Sequence, residues 1–287
     1  MVALLSRMAV YSGGKQLCTK PENSGRTGSE MMRLNNNTVL ITGGTSGIGY
    51  ALAKELLARN NTVIICGRRE ERLREIEQRH PEVHTAVCDV SREDDRQELV
   101  SWVTDRFSGL NVLVNNAGIQ RDVNFNLGMR DLESEPSEIA TNVEAPVYLT
   151  ARLIPHLRKQ KDAVIINVSS VLAFAPMARV PVYCATKAFI HNFTLSLRFQ
   201  LQQTGISVYE VLPPRVRTEL NLEGRKKAGY ADTGVDVDEY ARTVMDGLEA
   251  DVQEIEYPGA VPAASASRED LDRMFESIND QTFTWHP

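Results

Sequence analysis

The segment Asn36 to Asn60, NNTVLITGGTSGIGYALAKELLARN, limits the possible folds more than any other stretch of the chain. Thr38 to Ile41 is a short β-branched and apolar run, which reads as a buried strand. After a glycine-rich turn, Ile48, Ala51, Leu52 and Leu56 recur at the spacing of one helical face. The alternation then continues. Strand-like runs at Thr62 to Cys66, Val83 to Cys88, Asn111 to Val114, Ala163 to Val168, Ser207 to Leu212 and Glu254 to Tyr257 alternate with helical stretches, giving seven strands in all. Consecutive strand–helix–strand units imply an α/β class fold: a doubly wound, seven-stranded parallel sheet with right-handed crossovers and helices on both faces. A ligand then sits outside the C-terminal strand ends, where Gly43 to Gly49, Asn116 to Gly118, Ser170 and Pro213 to Thr218 would converge.

In the first turn, Gly43 permits a sharp reversal, Gly47 lets the backbone approach a pyrophosphate, and Gly49 lets the next helix pack closely on the sheet. The N-terminus of that helix offers unpaired N–H groups to phosphates. A loop that merely turns the chain is the alternative; the strand before it and the helix after it favour a dinucleotide cradle.

A second group of residues carries chemistry. Tyr183 and Lys187, in VYCATKAFIHNF, are one helical turn apart and share a face, and Ser170 ends the strand-like run AVIINVSS upstream. A positive charge beside a phenol favours phenolate and moves its pKa, ordinarily about 10, toward the range of a general acid/base at neutral pH. Alone, a Tyr-x-x-x-Lys pair is an ordinary surface feature.

Together these motifs resemble the single-domain members of the short-chain dehydrogenase/reductase family, from about Asn36 to about Gly259. The family's TGxxxGxG falls on Thr42, Gly43, Gly47 and Gly49. Its NNAG falls on Asn115, Asn116, Ala117 and Gly118, and its Asn-Ser-Tyr-Lys tetrad on Asn142, Ser170, Tyr183 and Lys187. The resemblance implies a Rossmann fold and a hydride exchange between a nicotinamide and a carbonyl or alcohol. Ser170 would polarise the substrate oxygen and Tyr183 would exchange a proton with it. Lys187 would hold the nicotinamide ribose and tune Tyr183, and the main-chain carbonyl of Asn142 would hold a water linking the lysine to solvent. The implied cofactor contacts are Gly43, Thr45, Ser46, Gly47, Ile48, Gly49, Arg68, Arg69, Asp89, Val90, Asn116, Ala117, Gly118, Tyr183, Lys187, Pro213, Val216 and Thr218. Pro146 follows Asn142 by four residues inside a helical pattern and has no N–H to give the Asn142 carbonyl. The expected kink would free that carbonyl; a kink serving only packing is the alternative.

Cofactor choice rests on TVIICGRRE, where Arg68 and Arg69 stand in place of the acid usual in NAD-preferring members of that family. Guanidinium matches a 2′-phosphate with paired donors, so NADP(H) is favoured over NAD(H), with Arg68 the expected grip and Arg69 turned more toward solvent. Both arginines belonging to an exposed helix start is the alternative. Asp89 resembles the family's adenine contact, or caps the helix that follows. VLPPRVRTEL places Pro214 where the family often has glycine, a Pro-Pro form that resembles a DltE-like branch, and the fixed φ excludes a positive-φ turn there. Gln120, Val171, Phe174, Met177 and Val180, with a mobile lid over residues 219–235, would form the substrate pocket. A non-catalytic dinucleotide sensor or scaffold would keep the glycine loop and lose the tetrad; an epimerase or dehydratase would carry a different glycine spacing.

Composition sets the boundaries. The chain of 287 residues, with 42% hydrophobic content, supports one large core. A net charge of -6 without a basic block argues against nucleic acid as a partner. No apolar run reaches the roughly 18 residues of a membrane span. Cys18, Cys66, Cys88 and Cys184 lack metal-site spacing, so no metal is expected, and reduced thiols suit a cytoplasmic setting. Residues 1–35 read as a disordered extension, 36–260 as the dinucleotide-binding domain and 261–287 as a tail with a short helix. Arg7, Lys15, Lys20 and Arg26 leave room for an organelle transit peptide; an unstructured extension or an upstream start ahead of Met31 or Met32 are the alternatives. The resemblance implies a homodimer or homotetramer through the outer faces of the helices carrying Asn142 and Tyr183, the latter with Phe189, Phe193, Leu197 and Leu201 to spare; all four facing the sheet is the alternative.

Overall fold

A computed structural model describes residues 33–133, 136–229, 233–259 and 262–280. The expectations for residues 1–32 and 281–287, and for the middle of the 219–235 stretch, therefore lie outside the described residues. Seven strands, β1 (Thr38–Thr42), β2 (Thr62–Gly67), β3 (His84–Val87), β4 (Leu110–Asn115), β5 (Val164–Val168), β6 (Ser207–Leu212) and β7 (Glu254–Glu256), form one sheet in the order β3-β2-β1-β4-β5-β6-β7. Every neighbouring pair is parallel, as the alternating pattern predicts. The helices are α1 (Gly47–Leu57), α2 (Glu70–Arg79), α3 (Glu93–Arg106), α4 (Ala145–Leu157), α5 (Pro181–Leu201), α6 (Leu222–Lys227), α7 (Val237–Glu249) and α8 (Arg268–Asp280).

The side-chain alternation of a strand explains the two cores. On β1, Val39 and Ile41 face one layer with Leu52 and Leu56 of α1 and Val244 and Leu248 of α7; Leu40 faces the other, with Leu149 and Leu153 of α4 and Leu197 of α5. Both faces of the central strands are therefore dry, which is why they read as continuous apolar runs. Each such side chain contributes roughly 1.5 to 3 kcal/mol on burial. The outer strands differ: β3 has four residues and is only partly buried, and β7 has three.

After β1 the chain runs outward through β2 and β3, then crosses back to place β4 on the other side of β1. This reversal opens a crevice above the C-terminal ends of β1 and β4, the position a doubly wound sheet reserves for a ligand. The helix around Asn142 departs from a simple kink. Residues Ala140–Glu144 form a π-turn, with the Ala145 N–H reaching the Ala140 carbonyl, and the regular helix resumes at Ala145 with Pro146 in its first turn. On α5, Leu197 and Leu201 are buried against the sheet and Phe193 packs partly on the same core, so of the four apolar residues singled out only Phe189 is exposed. Leu195 and Phe199 of the same helix, and Tyr148 of α4, are exposed as well.

Candidate active site

The crevice is a cleft of about 520 Å³ lined by Gly43, Ser46, Gly47, Arg68, Arg69, Asp89, Asn116, Gly118, Ser170, Tyr183, Lys187 and Thr218, among others. Its floor depends on glycine. Gly43 sits at φ +65, and a Cβ on Gly49 would lie 2.3 Å from Asn116 Nδ2 and 2.6 Å from the Gly43 carbonyl. The glycine loop thus presses against the Asn116 loop, leaving backbone rather than side chain facing the cleft. Asn116 serves this packing directly: its Nδ2 donates to the carbonyls of Thr42 (2.9 Å) and Gly43 (3.2 Å). Thr42 Oγ1 accepts from the amides of Asn116 and Ala117, both at 3.0 Å. Ile48 and Val90 also line the cleft.

The two arginines behave differently from the sequence expectation. Both are about equally exposed. Arg68 lies 3.8 Å from Asp89 Oδ2, at the far wall. Arg69 turns over the glycine loop, donating to Ser46 Oγ at 2.7 Å and Thr45 Oγ1 at 3.1 Å, and pairs with Glu219 at 2.8 Å. Arg69 is therefore tied to the loop rather than turned to solvent. Asp89 does not cap α3, whose N-cap is Arg92; its Oδ1 accepts from the amide and hydroxyl of Ser91 at 3.0 and 2.7 Å.

The tetrad residues meet at the other end. Asn142 spends its side-chain amide on structure: Oδ1 accepts from the Ile119 amide, and Nδ2 donates to the Ile119 carbonyl and to Thr186 Oγ1, at 2.9 to 3.0 Å. Ser170 Oγ accepts from the Leu172 amide at 3.1 Å and donates weakly to the Pro213 carbonyl at 3.5 Å, which is how the Pro-Pro turn touches the site. Lys187 is buried, donates to the Val168 carbonyl at 2.8 Å, and stands 5.5 Å from the centre of the Tyr183 ring. Burial pushes its ammonium down to about 8, while the Glu210 carboxylate favours the charge. The Tyr183 phenol is not lowered toward neutrality. Burial raises it above the usual tyrosine range, with Cys184 and Glu138 adding to the rise and a hydrogen bond with Ser170 opposing it.

Several contributing groups carry no motif and escaped the sequence reading. Glu210, fully buried on β6, accepts from Ser169 Oγ at 2.5 Å and from His191 Nδ1 at 2.9 Å, a network lying behind Lys187. Buried Glu138 accepts from the Arg121 amide at 3.1 Å, and burial raises its carboxyl. On the substrate side, Asp122 accepts from Arg179 and, at 2.9 Å, from Asn221 at the start of α6. Helix α8 docks nearby: Asn279 Oδ1 accepts from the Ala178 amide at 2.7 Å, and Ile278 packs on Met177, Val180, Tyr183 and Cys184. The apolar positions Leu271, Met274, Phe275 and Ile278 repeat at helical spacing and carried that signal. Met177 and Val180 belong to this cluster, whereas Phe174 stacks edge-on against His191 at 4.5 Å.

Residues 37–229 match the short chain dehydrogenase family model. The chain belongs to that family. This short-chain dehydrogenase is 48% identical over 250 residues to the uncharacterized oxidoreductase DltE of Bacillus subtilis (strain 168), covering 87% of this chain and 99% of the relative. Its fold is similar to a short-chain dehydrogenase from Sphingobium yanoikuyae in complex with NADPH, at a TM-score of 0.70 and 26% identity over 84% of this chain and 94% of that one. The closed form of a serine dehydrogenase complexed with NADP+ gives 0.69 and 28%, over 80% and 97%. Short-chain dehydrogenases are oxidoreductases, and no helix among the described residues is long and apolar enough to cross a membrane.

Proposed function

We propose that this chain is an NADP(H)-preferring oxidoreductase that interconverts a small carbonyl compound and its alcohol. The convergence of Ser170, Tyr183 and Lys187 at one end of a cleft whose other end is a glycine cradle carries the reading. A bound nicotinamide supplies the hydride in reduction and accepts it in oxidation. The glycine loop and the α1 N-terminus hold pyrophosphate through backbone N–H groups. Arg69 meets a 2′-phosphate beside Thr45 and Ser46, with Arg68 and Asp89 flanking the adenosine end. Ser170 orients the substrate oxygen and Tyr183 gives that oxygen a proton. The raised phenol keeps Tyr183 in its protonated form in the free enzyme. Lys187 keeps a charge next to the phenol with the help of Glu210, and the Asn142 main-chain carbonyl would hold the water that continues the proton path. NADPH and NADP+ in two similar structures support the cofactor class.

The test is direct. Purified protein with a panel of aldehydes and ketones should oxidise NADPH in step with alcohol formation, and Tyr183→Phe should lose turnover while binding cofactor nearly as well. A variant that turns over normally removes Tyr183 from the reaction.

A further inference from the structure

Resting on that reading, we propose that Arg121 is the anchor for an anionic group on the substrate, so that the enzyme acts on short carbonyl compounds bearing a carboxylate or sulfonate. Arg121 lines the same cleft as Ser170, Tyr183, Leu220 and Asn221. The backbone that presents it is fixed at alternate residues. Ile119 is held at both its amide and its carbonyl by Asn142. The Arg121 amide is held by Glu138, and the Val123 amide by the Arg179 carbonyl at 2.9 Å. Asp122 ties the segment to α6 through Asn221. The side chain of Arg121 therefore projects from a rigid strip running between the tetrad and the helix that borders the substrate space.

Among the charged groups around the cleft, this guanidinium has neither a hydrogen bond nor an ion pair among the described residues, and only the Glu138 carboxylate acts on it at longer range. Arg68 is beside Asp89, Arg69 is paired with Glu219, and the Lys187 ammonium donates to Val168. The Arg121 side chain is half-buried and makes no hydrogen bond or ion pair with the described residues; its charge acts from beyond ion-pair distance on the buried Glu138 carboxylate, which accepts from the Arg121 amide. A partly desolvated cation whose only protein carboxylate is out of direct contact gains from a ligand anion that pairs with it. Guanidinium offers the planar, paired donors that a carboxylate or sulfonate accepts. An oxyanion held there, with the carbonyl at Ser170 and Tyr183, places the reacting carbon by two fixed points.

The experiment compares 4-oxobutanoate with butanal, and sulfoacetaldehyde with propanal, under NADPH in steady state, for the native enzyme, Arg121→Gln and Arg121→Lys. The native enzyme should prefer each anionic compound, with the advantage seated in KM. Arg121→Gln should lower the anionic-to-neutral ratio of kcat/KM by about 10- to 100-fold, the worth of one charge-assisted contact, and Arg121→Lys should restore part of it. Carboxylate and sulfonate arms report separately which oxyanion fits. Equal use of anionic and neutral compounds by the native enzyme, or a ratio unmoved by Arg121→Gln, overturns the anchor while leaving the reductase reading intact. Turnover of neither class removes the reductase reading and the anchor together. Because Arg121→Gln removes only a long-range attraction to Glu138, the thermal midpoint of the variant should lie close to that of the native chain, which separates a binding loss from misfolding.

Discussion

Replacing Lys187 with methionine should abolish turnover and make the protein more stable. The ammonium is buried, and its pKa falls from 10.5 to about 8 because burial opposes the charge. At about 1.4 kcal/mol per pH unit, that difference is a cost to the folded state of about 3 kcal/mol at neutral pH, where the lysine is charged in both states. Methionine fills a similar volume without a charge, but it leaves the Val168 carbonyl without its 2.8 Å donor, a loss of about 1 to 2 kcal/mol. The net gain at pH 7 is then about 1 to 2 kcal/mol. The sign with pH follows from linkage: between about 8 and 10.5 the native lysine has released its proton while the unfolded one retains it, so the native enzyme gains stability with rising pH across that window. The advantage of Lys187→Met should therefore shrink from pH 7 to pH 10 and end as a deficit. Urea denaturation at both values, with unchanged m, measures it. A variant less stable than the native enzyme at pH 7, or an advantage independent of pH, refutes the reasoning.

Arg69→Gln should weaken NADPH by about 10- to 100-fold in titrations at fixed ionic strength, with NADH affected much less and Arg68→Gln causing a smaller loss; equal native affinities for NADPH and NADH contradict it. Glu210→Gln removes the anion that favours the Lys187 charge, so the alkaline limb of the kcat/KM profile should move to lower pH, and an unmoved limb separates Glu210 from the site. The exposed apolar residues of α5, Phe189, Leu195 and Phe199, should join two copies about a two-fold axis, and Phe199→Glu should reduce the sedimenting mass; a native monomer at micromolar concentration ends that expectation.

The fold was legible because its determinants are local and periodic. Strand and helix repeats placed all seven strands within one or two residues, and the glycine spacing located the cradle. What stayed hidden depends on contacts across long sequence separations. Whether Arg68 or Arg69 meets the glycine loop is decided by side-chain direction at the end of β2, which adjacent arginines do not reveal. The Tyr183 phenol was expected to fall because its neighbour is a lysine; burial of both groups, invisible in a pair of letters, reverses the direction. Leu197 and Leu201 carry the same apolar character as Phe199, and only helical phase separates the inward from the outward set. Glu210 and Glu138 gave no signal, since a lone acid in a strand or near a helix start has no motif.

The brevity of the two outermost strands has a consequence for how this protein fails. The segments best suited to cross-β stacking, Val63 to Cys66, Val112 to Val114 and Val164 to Val168, occupy interior positions of the sheet with both neighbours satisfied. The open edges present only the four residues of β3 and the three of β7, too few to template a foreign strand. The one weak point is β3, because its loss would uncover β2. So long as β3 does not detach on its own, aggregation should track the population of globally unfolded chain, rising steeply near the thermal midpoint and staying flat below it.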